Sequence, residues 1–288
     1  MIHQAEPPAH GLRPPLVRYP LAVPIESEAD FQGITRVGYV VGRTLEAMQS
    51  AVQAGITTAD LDEVGHAVMR AHGARSAPHA VYGCAAANFI SINDEIVHGL
   101  PGARRLAAED VVKFDVTAEL DGYVADGAVT VVLSGASDIA RRLHACATAA
   151  FDHGCAAATP GSELPAIGHA IEDVVGARGF AVLRRLSGHG AGQTVHDAPS
   201  VPNYFEGFQR VVLTEGLVLT IEALIAERFT GTVRDSNGWT LRTRTGCLTA
   251  HHAQTVIITN GKPLIVTAPN APDLMTCADR RTACEGAS

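Results

Sequence analysis

No apolar run in this 288-residue chain is long enough to cross a bilayer. The longest, such as GLVLTIEALIA at 216–226, are about half of what a transmembrane helix needs. The amino-terminal stretch MIHQAEPPAHGLRPPLVRYPLAVP lacks the continuous apolar core of a secretory signal and is broken by prolines, so residues 1–30 are read as an extended Pro-rich arm. Positive charge is in short supply. The 22 Lys and Arg residues face 30 Asp and Glu, giving a net charge of -8 and a pI near 5.9, which argues against nucleic acid or a membrane surface as partner. The six cysteines (Cys84, Cys146, Cys155, Cys247, Cys277 and Cys284) contain no CxxC pair and no compact framework. In a chain this long they are read as reduced thiols of a cytoplasmic protein. The tail 268–288, APNAPDLMTCADRRTACEGAS, is expected to be loosely docked.

With 47% hydrophobic residues, the chain can bury a large core as one domain or as two fused halves. An internal match favours the halves. LDEVGHAVMRAHGAR (61–75) aligns without gaps to LPAIGHAIEDVVGAR (164–178), with Leu, Gly-His-Ala and Gly-Ala-Arg identical. The apolar spacing in both is helical, and β-branched blocks follow each. The matched histidines His66 and His169 are read as structural. The periodicity predicts helices over 31–54, 59–75, 137–154 and 163–178. Strands are expected at 88–92, 111–117, 121–133, 180–187, 217–224, 239–243 and 249–259. Halves of about 31–135 and 136–267 that both supply strands give an α+β sheet covered by helices.

Polar residues recur where a plain core strand would be apolar. VVKFDVTAELDGYVADGAVTVV places Asp115 and Asp126 on two strands joined by a short turn, face to face across a hairpin. Such a pair holds a cation or shares a proton. SGHGAGQTVHDAP surrounds His189 with glycine, which lets backbone approach a ligand closely, and puts His196 seven residues on. VLTIEAL sets Glu222 inside an apolar strand, where an ionised carboxylate needs a strong partner. SINDEIVHGLP places His98 before a turn. Two Asp, one Glu and one His form a mostly oxygen-donor set suited to Mn, Fe, Co or Zn.

In order, SINDEIVHGLP, FDVTAELDGYVADG, SGHGAGQTVHDAP, LTIEA and NGWTLRTRTGCLTAHHAQT resemble the methionine aminopeptidases, metallopeptidases of the M24 family, over about 31–267. The resemblance implies the pita-bread fold, in which two pseudo-symmetric halves share a curved, mostly antiparallel sheet. It places Asp115, Asp126, His189 and Glu222 on metal ligands. His98 falls on a histidine that contacts the scissile amide, and His196 on one that stabilises the tetrahedral intermediate. Tyr82, Cys84 and Trp239 fall near the substrate pocket.

One ligand is missing. Where the family has a bridging Glu, this chain has Ala253, followed by Gln254 in place of His. Gly127 stands where the family has Thr or Ser, and Ala223 where it often has Pro. Three carboxylates do not balance two divalent ions, so at most one tightly bound ion is expected. On a strand His251 and His252 point to opposite faces. His251 shares the face of Ala253, where it contacts substrate, makes a hydrogen bond or supplies a neutral donor; His252 is read as structural. The implied function is a divergent, metal-dependent hydrolase of a peptide N-terminus or small amide, with a metal-bound water as nucleophile, His98 and His196 on the carbonyl, and Glu222 as ligand and proton carrier. Two other readings stand beside it: a repurposed enzyme of specialised metabolism with one metal or none, and a non-catalytic binding scaffold.

Overall fold

In the computed structural model, which describes residues 25–207 and 211–268, five helices cover one face of a ten-stranded sheet and its flanks. The predicted arm and tail fall almost wholly outside the described residues. Helix α1 (Glu28–Ala51) begins three residues before its predicted start because Ser27 and Asp30 form a reciprocal capping box. Thr57 and Asp60 do the same for α2 (Thr58–Ala71). A short α3 (Ala77–Tyr82), which no periodicity announces, follows strand β1 (Arg75–Ser76). In the second half, α4 (Asp138–Ala157) and α5 (Pro165–Ala177) repeat the α1–α2 pair.

The first half supplies β2 (Phe89–Ile92), β3 (Glu95–Val97), β4 (Val111–Leu120) and β5 (Tyr123–Val132). The second supplies β6 (Ala181–Val182), β7 (Ser187–Gly190), β8 (Asp197–Pro202) and β9 (Val218–Ala226). It continues through β10 (Thr232–Arg234), β11 (Leu241–Thr243), β12 (Thr249–Ile257) and β13 (Leu264–Ile265). The main sheet runs β1-β4-β5-β12-β9-β7-β8, and β3, β10 and β11 make a small second sheet. The predicted strand 180–187 is two strands, β6 and β7, split by a turn in which Leu186 N–H donates to the Leu183 carbonyl. The predicted 239–243 shrinks to β11. Strands β7 and β8 contain Gly and Pro rather than β-branched runs, so the sheet edge recruits them and local preference does not.

Alternation decides which face becomes the site. On β9, Leu219, Ile221, Ala223 and Ile225 join one buried cluster with α4 and α5. On β4, Val112, Phe114 and Val116 join another with α1 and α2. The intervening residues of both strands, Asp115 and Glu222 among them, must point to the other face. The β4–β5 hairpin turns at Asp121 and Gly122, whose φ values of 52° and 87° are those of a two-residue type I′ turn. That turn fixes Asp126 opposite Thr117 and Asp115 opposite Ala128. The two aspartates are therefore diagonal neighbours, not directly opposed as the sequence suggested.

The repeated Gly-His-Ala has a packing explanation that lies in its glycine. A Cβ on Gly168 would lie 2.6 Å from the Pro202 carbonyl oxygen and nearer still to that of Tyr204, and one on Gly65 would meet Met48 and Asn88. His169 is exposed beside Asp173, and His66 lies half-buried on the helix surface near Arg70. Neither packs in the core. Gly168→Ala should therefore destabilise the fold by about 1–2 kcal/mol despite alanine's better helix propensity, because backbone carbonyls cannot yield. Urea unfolding measures it, and an unchanged midpoint would contradict the close approach.

Candidate active site

On the far face of the sheet, Asp126 (β5), His189 (β7) and Glu222 (β9) bring one ligand atom each to within 4.8 Å of one another. His189 Nε2 lies 3.5 Å from Asp126 Oδ2 and 3.3 Å from Glu222 Oε1. Its Nδ1 is 2.8 Å from the Gly190 carbonyl, so Nδ1–H donates there and the Nε2 lone pair is left for a ligand. Thr117 Oγ1 donates to Asp126 Oδ1 at 3.2 Å, and the Asp126 backbone is clamped by Thr255 Oγ1, which accepts from its N–H and donates to its carbonyl. Two buried carboxylates and a correctly oriented imidazole fit a divalent cation.

The electrostatics agree with that fit. Burial opposes a charged imidazole at His189, yet the Asp126 and Glu222 carboxylates outweigh it and push its pKa up to about 10. Burial also opposes a charged Glu222, but His189 and His251 hold its carboxyl well below the usual range. Asp115 is raised well above its ordinary value by burial and then by Asp126 and Glu222, and shares a hydrogen bond with Asp126. Ion binding must therefore expel the His189 proton. At pH 7 we expect protons to be released as the ion binds and the affinity to rise with pH. Calorimetry in buffers of different ionisation enthalpy reads the proton count, and binding without proton release would refute the assignment.

The triad lies in a cavity of about 870 Å³ that is also lined by Asp115, His98, His196, Tyr82 and Trp239. His98 sits at φ 58°, its carbonyl held by Thr240 Oγ1 at 3.2 Å. Burial, and then His196, lower its pKa to about 4. His196 accepts or donates at Nδ1 with the Tyr82 hydroxyl (3.2 Å), and its ring centroid is 4.7 Å from that of His189. Burial, then His189, lower its pKa to about 4 as well. Both imidazoles are neutral near pH 7, each with one N–H to donate.

Two expected substrate residues are elsewhere. Cys84 is buried against Ala86 and Phe89, behind Trp239, and is not among the described lining residues. His251 is not among them either; it is 3% exposed, with Nε2 3.2 Å from Glu222 Oε2. His252 turns away to the Phe151 ring, at 4.9 Å between centroids. The sequence reading passed over Phe89, which lines the cavity and meets the rings of both His98 (4.9 Å) and Trp239 (5.9 Å). It also passed over Thr117, although that residue shares the face of Asp115 two positions on.

A profile of metallopeptidase family M24 matches residues 32–260. The chain belongs to this family. It is 33% identical to methionine aminopeptidase 2 of Bacillus subtilis over 84% of this chain and 98% of that protein. It is 34% identical to the methionine aminopeptidase of Aquifex aeolicus over 86% and 99%. The crystal structure of methionine aminopeptidase from Thermotoga maritima superposes with a TM-score of 0.82 at 28% identity, over 85% of this chain and 98% of that one. The prolidase of Pyrococcus furiosus shares the fold, with a TM-score of 0.69 at 19% identity over 84% and 65%. The M24 chain described here thus has the pita-bread fold expected from its motifs, and its relatives are methionine aminopeptidases. No helix among its described residues is long and apolar enough to cross a membrane. Cys84, Cys146, Cys155 and Cys247 are free and buried.

Proposed function

We propose that this M24 protein is a cytoplasmic, mononuclear metal-dependent hydrolase of an amide, at a peptide N-terminus or in a small molecule. The observation that carries the reading is the convergence of Asp126, His189 and Glu222 in a cavity walled by two neutral histidines. These three, with Asp115 alongside, would hold a divalent ion of the Mn, Fe, Co or Zn group, which would supply Lewis acidity toward water and a carbonyl. Glu222, with one oxygen toward His189 and the other toward His251, is placed to carry a proton from the attacking water to the leaving nitrogen. His98 and His196 each offer an N–H to the oxygen on which negative charge develops, and Tyr82 orients His196. Phe89 and Trp239 form the apolar wall that receives the side chain beside the scissile bond.

Ala253 narrows the substrate. Without the fourth carboxylate, release of methionine from ordinary peptides should run about 10–100-fold slower than in a relative that keeps all its ligands. The same departure favours a second reading, in which the pocket serves a reaction other than peptide hydrolysis. Protein purified without chelators should carry one divalent ion by elemental analysis, and metal-dependent cleavage of some member of a peptide and amide panel should follow. A metal-loaded protein that cleaves no amide would overturn hydrolysis in favour of the second reading; rapid methionine release would show that Ala253 matters less than argued.

A further inference from the structure

Strand register lays the cavity face out as rows. Asp115, Ala128, Ala253 and Glu222 stand side by side across β4, β5, β12 and β9. Two methyl groups therefore separate the outer carboxylates. Both alanines are fully buried, so other side chains cover them. In the next row His251 is opposite Leu224, which makes it the diagonal neighbour of Glu222, within reach of a long side chain. Its backbone is fixed by the Thr130 hydroxyl, which accepts from its N–H at 2.9 Å and donates to its carbonyl at 2.8 Å.

The His251 ring uses that anchorage to reach back along the strand. Nε2 lies 3.2 Å from Glu222 Oε2, while Glu222 Oε1 faces His189. The approach is close but lacks hydrogen-bond alignment, and neither ring nitrogen has a hydrogen-bond partner although the residue is 3% exposed. A buried imidazole left this way is costly by itself. Its direction identifies what it serves, since it approaches the carboxylate opposite the position where a ligand is missing.

We infer that His251 is a positioning residue that takes over the space beside Ala253, fixes Glu222 with Oε1 toward His189, and closes the centre to a second ion. The inference rests on the metallohydrolase reading and deepens it. The single-ion stoichiometry then belongs to a coupled pair, His251 with Ala253, and not to Ala253 alone. On this inference restoring a carboxylate at 253 is not sufficient, because the imidazole still stands against Glu222 Oε2.

Calorimetric titration of the chelator-stripped full chain with Mn²⁺ tests this. Wild type should bind one ion, and so should Ala253→Glu. His251→Gln should bind one ion about 10–100-fold more weakly, as loss of an outer contact to a ligand does. The double variant His251→Gln/Ala253→Glu should bind two. Two ions in Ala253→Glu alone, an undiminished affinity in His251→Gln, or one ion in a folded double variant would each overturn the inference. If the double variant fails to fold by circular dichroism, the two single variants still decide. Wild type that binds no ion would instead overturn the metallohydrolase reading itself.

Discussion

Converting His189 to alanine should weaken binding of the single ion by about 10²–10³-fold. Four-ligand structural zinc sites gain roughly 10–16 kcal/mol on binding, which is about 2.5–4 kcal/mol for each ligand, and about 1.4 kcal/mol is one decade. His189 is the one nitrogen donor among the three converging groups, so nothing else in the triad replaces it. Its removal also leaves Asp126 and Glu222 without the imidazole between them in the metal-free protein. Two nearby buried carboxylates then retain a proton in place of the imidazolium one, so the variant regains no advantage from losing the charged ring. The measurement is a titration paired with thermal unfolding. For wild type, an ion at a hundred times its Kd stabilises by about 2.7 kcal/mol, and the variant should lose that shift at the same concentration. An affinity within threefold of wild type would remove His189 from the ion's ligands.

How much of this site was legible beforehand follows from which physical rule placed each residue. Strand alternation is local, so Asp115, Asp126 and Glu222 stood out as polar interruptions of apolar strands, and the opposed directions of His251 and His252 could be read directly. Pairing between the halves is not local. Nothing in the periodicity of 123–132 or 249–257 says that β5 lies beside β12, yet that adjacency puts Ala253 between Ala128 and Glu222. Tyr82 and Cys84 show the same limit at short range. They are two residues apart, but Gly83 ends α3 with φ 66° and turns the chain, so Tyr82 faces the cavity while Cys84 packs inward. Phe89 went unread because an aromatic at the start of a buried strand looks like core. Only its partner rings, His98 from the turn after β3 and Trp239 from the loop before β11, reveal its second role. The reading of Ala253 as a replaced ligand rests on family resemblance alone, for an alanine in a strand carries no signal of what it replaces.

The sharpest test of catalysis against a mere scaffold concerns His98 and His196, since neither belongs to the converging metal triad. Replacing either should lower kcat/KM by about 10²–10⁴-fold on the substrate that the panel identifies, the range expected for one positioned acid–base or oxyanion group. Ion affinity should change little. For His196 the alanine variant suffices, because the ring is half-buried in a turn and its removal leaves the sheet pairing intact. For His98 alanine would confound the result, since φ 58° is a left-handed conformation that disfavours a plain Cβ. Asparagine tolerates that conformation and removes the imidazole, so His98→Asn isolates the chemistry from the backbone. Both variants should keep their unfolding free energy within about 1 kcal/mol of wild type. The pH profile supplies the independent sign. Both groups have pKa values lowered to about 4, so they are neutral above it and take up a proton as pH falls through it. That proton sets a cation facing the bound metal, so wild-type activity measured at saturating ion should fall on the acid side as pH drops toward 4. If both variants bind the ion normally and turn over at the wild-type rate, the two histidines are bystanders to the reaction.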